Sequence, residues 1–100
     1  MALSSRRKGV KAEAEVARIF READWDVRGL EGLGDWLCMY GSEHTFHLEV
    51  KRQERLQLPI WLRQAEADAP ASAVPVVAFR QSRGRWYACL PLEALVELAR

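Results

Sequence analysis

Nowhere in this 100-residue sequence does an apolar run approach the roughly 20 residues needed to cross a bilayer, and the N-terminus lacks a signal-peptide core. A membrane partner is therefore not expected, and the anticipated location is the cytoplasm (the host's, if the chain is phage-encoded). Cysteine is nearly absent: Cys38 and Cys89 each sit inside an apolar segment, which favours free thiols over a disulfide framework. No zinc-ligand spacing, phosphate-cradling glycine loop or Ser-His-Asp order occurs. Excess charge is also missing, at a net +1. These absences leave a small soluble domain whose chemistry rests on carboxylates, cations and their arrangement.

An apolar fraction of 49% beside a charged fraction of 29% suits one compact core. Charge is segregated along the chain. Arg6, Arg7, Lys8 and Lys11 precede the first acid; Lys51, Arg52, Arg55 and Arg63 surround Glu54; Arg80, Arg83 and Arg85 have no acid among them. Residues 12–50 instead hold nine acids against Arg18, Arg21 and Arg28. Three basic groups in so short a chain point to a polyanion, with the acidic stretch free to take a metal.

Residues 1–8 read as a flexible basic arm and 9–100 as one domain. Ala12, Val16, Ile19, Phe20 and Ala23 form one stripe of an amphipathic helix from Gly9. Short strands are expected at Trp25–Arg28, Trp36–Tyr40 and Thr45–Lys51, with a hairpin turn at Gly41-Ser42. Pro59 opens a second helix reaching about Ala69. Val74–Phe79, apolar on both faces, reads as a central strand, with Arg85–Leu90 its partner and a last helix from Pro91. The expected order is αβββαββα: an α/β fold with an αβββαβ core and a mixed central sheet flanked by helices.

The third strand carries the strongest chemical signal. Alternation sends Phe46, Leu48 and Val50 to one face and His47, Glu49 and Lys51 to the other, placing a carboxylate beside an ammonium. Gly32-Leu33-Gly34-Asp35 supplies another carboxylate from a glycine-rich turn. On the first helix, Glu15 has Lys11 and Arg18 at ladder spacings, and Arg18 in turn meets Glu22. Glu13 has no cation at those spacings on its own helix, which makes it a candidate for a task elsewhere. His47 shares the Glu49 face, but a hard-metal site does not want imidazole, so it is read as a neighbour. Trp25, Trp36, Trp61 and Trp86 are core or interface candidates; Trp61, near Arg63, is also a possible stacking platform for an opened base.

Lys8-Gly9-x-x-x-Glu13, Gly34-Asp35, Glu49-Val50-Lys51 and a later helix with Gln64 together resemble the PD-(D/E)xK nuclease superfamily. The small archaeal-type and phage Holliday junction resolvases are the nearest likeness. Gly34 stands where a proline is common, and Trp36 where an aliphatic residue is usual. The resemblance implies a restriction-endonuclease-like fold and a homodimer that resolves four-way DNA junctions in recombination and repair. It further implies that Asp35, Glu49 and the Val50 carbonyl bind Mg²⁺, with Mn²⁺ able to substitute. Lys51 would assist the attacking water, Glu13 would hold a second ion or an outer water, and Gln64 would position the nucleophile or backbone. Arg6, Arg7, Lys8, Lys11, Arg52, Arg55 and Arg63 would grip DNA, while Leu92 and Val96 would suit a dimer interface. Two alternatives remain: a restriction-like or flap-trimming nuclease with the same residues, and a non-catalytic DNA-binding subunit.

Overall fold

The computed structural model describes the backbone of residues 2–30, 35–41 and 43–100, and the side chains of 9–29, 36–41 and 43–100. Its elements run α1 (Ala2–Glu22), β1 (Asp26–Leu30), β2 (Asp35–Tyr40), β3 (His44–Arg52), α2 (Leu58–Asp68), β4 (Val74–Arg80), β5 (Tyr87–Cys89) and α3 (Leu92–Leu98). This is the expected αβββαββα order. The five strands form one sheet in chain order: β1, β2 and β3 are an antiparallel meander, β3 and β4 are parallel, and β5 returns antiparallel to β4. The parallel step requires a crossover, and α2 supplies it.

α1 begins at Ala2, not at Gly9, so the segment expected as an arm forms the opening turns of the helix. Alanine, leucine, arginine and lysine all favour a helix, and one exposed glycine costs too little to stop it. The far end closes by a left-handed reversal. Asp24 takes φ 68°, the Asp24 N–H donates to the Arg21 carbonyl, and the Trp25 N–H donates to Phe20. This double bond pattern is the Schellman cap, and its usual apolar contact is present: the Phe20 and Trp25 rings lie edge to face at 5.2 Å.

Alternation divides the sheet into two differently covered faces. On one, Val27, Cys38, Leu48, Val76 and Ala78 pack beneath Val16 and Ala17 of α1. On the other, Trp61 and Ala65 of α2 cover Val77, with Phe79 and Cys89 at the margin. Pro59 lies in the first turn of α2, where its missing N–H has no helical partner to lose. A second proline, Pro75, is tolerated inside β4 for a related reason. The Arg80 carbonyl accepts from the Gln53 N–H, so even-numbered peptide groups of β4 face β3 and odd-numbered ones face β5. The N–H that Pro75 lacks thus falls on the β5 side, before β5 pairing starts at Val77.

Both cysteines are free, and they occupy opposite faces. Burial pushes the Cys38 thiol up from its ordinary 9.0 to about 12, partly offset by the nearby Arg21 charge. The folded state therefore holds this proton more tightly than the unfolded chain. Stability from this group is complete below pH 9.0 and is lost as pH rises toward about 12. Urea unfolding should show a decline over that window of up to about 1.4 kcal/mol per pH unit, and Cys38→Ala should flatten it. Relief of the left-handed strain gives a second expectation. Asp24→Gly should raise stability by several tenths to about 1 kcal/mol, read as a shifted urea midpoint at constant slope.

Candidate functional site

β3 brings the predicted residues to one end of the sheet. Its Phe46, Leu48 and Val50 face α1, so His47, Glu49 and Lys51 share the α2 face, as alternation predicted. Glu49 is 4% exposed and His47 is fully buried, so His47 belongs to the interior beneath the site and not to an open cleft. A carboxylate this deep is costly unless the fold or a ligand compensates it.

The position of Asp35 follows from strand register. Asp35 is the first residue of β2, and not part of a turn, because it pairs with Leu30 of β1. The β2–β3 ladder runs from Tyr40↔His44 to Trp36↔Leu48. One further step of the same register sets Asp35 across from Glu49. Gln53 donates its N–H to Arg80, so the odd-numbered peptide groups of β3 face β4 and the even-numbered ones face β2. The Asp35/Glu49 step is then a non-hydrogen-bonded one, the kind at which opposed residues come closest, with Cα atoms about 4.5 Å apart. The same parity turns the Val50 carbonyl toward the β2 side, beyond the last paired residue. Two carboxylate positions and a carbonyl thus lie together at the start of β2, an oxygen set suited to a hard cation. Gly32, Leu33, Gly34 and the Asp35 side chain lie outside the described residues. Among the described residues, no three His, Cys, Asp or Glu side chains group closely enough to hold a metal.

Lys51 extends toward α2, its ammonium 6.0 Å from the centre of the Trp61 ring. Trp61 is 4% exposed, so it cannot serve as a stacking platform for a base; it backs Lys51 instead. Gln64 is exposed one turn further along α2. Glu13 is half-buried and lines a groove of about 510 Å³ with Ala17, Arg18, Arg21 and Trp36. A different cavity, of about 500 Å³, takes in Lys51, Arg52 and Arg55 against Gly9 and Ala12 of α1. Lys11 is exposed on α1, and Arg63 is exposed with its Nε donating to the Pro59 carbonyl. The side chains of Arg6, Arg7 and Lys8 lie outside the described residues.

Of the basic groups, Lys51, Arg52 and Arg55 of the second and Arg80 of the third come together at this end. Arg52 and Arg80 are register partners where β3 and β4 stop, and Gly9, inside α1, lines the cavity that takes in Arg52. The loops after the two strands are tied together. The Ser82 N–H donates to the Glu54 carboxylate at 2.8 Å, and Gln81 Nε2 donates to the Glu54 carbonyl at 2.7 Å. Glu54, the one acid among the second basic group, thus has a structural task.

Glu15 is the residue that local spacing misjudged. Arg18 does pair with Glu22, at 2.9 Å. Glu15, however, accepts from Arg80 Nη1 and Trp86 Nε1, each at 3.0 Å, and pins α1 to the β4–β5 end. A tryptophan N–H in the acid-free 80–86 segment was a signal that some distant acceptor must exist.

A comparison of the chain with protein-family models finds no match, and a comparison with curated proteins finds none either. Among the described residues, no helix is long and apolar enough to cross a membrane.

Loss of the Glu15 clasp has a direct readout. Glu15→Leu should lower stability by about 1–2 kcal/mol, because half-buried Arg80 loses its counter-charge and partial exposure screens the rest. Trp86 emission should shift to the red in the folded protein, whereas the exposed Arg18→Ala should leave both stability and emission nearly unchanged.

Proposed function

We propose that this chain is a metal-dependent endonuclease that hydrolyses phosphodiesters in branched DNA, with the four-way junction as its substrate. The observation that carries the reading is that the buried Glu49, the first residue of β2 and the basic ends of β3 and β4 lie at one end of the sheet. Asp35, Glu49 and the Val50 carbonyl would hold the divalent ion, Mg²⁺ by hardness and coordination preference, with Mn²⁺ able to replace it. When bound, that ion supplies an acidified water and neutralises charge on the scissile phosphate. Lys51 donates to the phosphoryl oxygens as negative charge builds on them, and Trp61 limits the space in which its ammonium swings. The basic segments hold the backbone with little regard for sequence.

Junction preference rests on the resemblance of the Lys8-Gly9-x-x-x-Glu13, Asp35 and Glu49-Val50-Lys51 set to PD-(D/E)xK junction resolvases. A four-way junction has near-twofold symmetry and needs two cuts, which calls for a homodimer. Leu92, Leu95 and Val96 of α3 are exposed and offer apolar surface for it. A non-catalytic DNA-binding subunit is disfavoured by Glu49, since a buried acid beside a phosphate path weakens binding unless a cation offsets it.

Cleavage of a synthetic junction and of its matched linear duplex, each with and without Mg²⁺, tests the proposal. Junction cutting that requires the metal is expected. Equal cutting of both substrates would move the assignment to a restriction-like or trimming nuclease, and binding without cutting in Mg²⁺ or Mn²⁺ would leave only a binding subunit. Glu49→Gln and Lys51→Ala should each reduce cutting by at least about 10³-fold, while junction affinity in EDTA stays within about threefold.

A further inference from the structure

Arg52 and Arg80 are neighbours on parallel strands, and both lie on the α1 face, one residue round from the face that carries Lys51. Two guanidinium groups side by side repel unless anions offset them. Glu15 takes Arg80, at 3.0 Å. The Arg52 Nε and the Arg80 Nε are both buried without a hydrogen-bond partner among the described residues, a costly state for a cationic donor, and Arg80 has the Glu15 ion pair to set against it. The Glu54 carboxylate, also on the cavity wall, is turned to the 80–82 loop by the Ser82 N–H. Above Arg52 the wall of α1 is made of Gly9 and Ala12, one helical turn apart. A Cβ at Gly9 would meet nothing within 4 Å, so no packing in the free protein calls for glycine there. A buried guanidinium N–H with no acceptor among the described residues, a small-residue wall and about 500 Å³ of space coincide.

We infer that this cavity seats a backbone phosphate of the bound nucleic-acid strand, held by the Arg52 guanidinium beneath Gly9. It is a second phosphate position, reached from the α1 face of the sheet. Lys51 and Arg52 straddle the end of β3, so a strand crossing that end meets both. The inference rests on the DNA-binding half of the proposed function and does not need the hydrolytic half.

The experiment compares wild type, Arg52→Gln, Arg52→Lys and Gly9→Leu in EDTA. It measures junction affinity across a salt series, and melting temperature in chloride and in inorganic phosphate at matched ionic strength. Arg52→Gln should bind about tenfold more weakly, with its salt slope reduced by about one. Its melting temperature in chloride should equal or exceed that of wild type, because an uncompensated cation has gone. Arg52→Lys should keep the slope, and phosphate should raise the melting temperature of wild type but not of Arg52→Gln. Gly9→Leu should melt higher, by its better helix propensity, yet bind more weakly because its side chain occupies the seat. Unchanged affinity and slope in both Arg52→Gln and Gly9→Leu would overturn the assignment. So would a fall in the Arg52→Gln melting temperature in chloride together with normal binding by Gly9→Leu. If wild type ignores DNA but phosphate stabilises it through Arg52, the anion seat stands and the nucleic-acid reading falls; no response to either probe overturns both.

Discussion

Everything at the candidate site depends on β3 having two different neighbours. β2 runs antiparallel along one flank and stops early; β4 runs parallel along the other and continues to Arg52↔Arg80. Each flank fixes something separate. The long parallel ladder makes the end of β3 rigid, and the short antiparallel one leaves the Val50 peptide groups outside the β2–β3 ladder. A strand paired evenly on both sides would have used those groups within the sheet.

The two faces of β3 are equally unlike. Phe46, Leu48 and Val50 give α1 a plain apolar bed, and its burial is what makes the strand's register costly to change. A slip of one residue would send Glu49 into that bed. The opposite face buries His47 and Glu49 beside Val77, a polar row that a purely structural sheet would replace with aliphatic residues. The α1 side of this strand is thus apolar from Phe46 to Val50, while the α2 side mixes its own core of Trp61, Ala65 and Val77 with buried polar groups. Glu15 couples the α1 layer to the β4–β5 end through Arg80 and Trp86.

Much of this was legible in the residues themselves. Period-two alternation placed the faces of β3, Pro59 marked α2, and Gly41, with φ 60°, marked the hairpin. These are local effects, and local sequence contains them. Glu15 was misjudged because Arg18 and Lys11 satisfy it on paper, while its partners Arg80 and Trp86 are brought near only by the crossover. Trp61 behind Lys51 is another meeting of separate elements, invisible to spacing rules. The start of α1 was missed for a different reason. Gly9 resembles a boundary, but an isolated glycine costs about 1 kcal/mol, less than the surrounding residues return.

The parallel pairing of β3 with β4 also orders the events of folding. The β1–β2–β3 meander closes through short turns, whereas Phe46 reaches Val74 only after α2 has carried the chain back across the sheet. Contacts so remote in sequence form late, since loop-closure entropy must be met first. A chain arrested before that closure would hold its hairpins yet lack the juxtaposed arginines of β3 and β4. On the ribosome, the Arg52–Arg80 juxtaposition would therefore form only after β4 has left the exit tunnel.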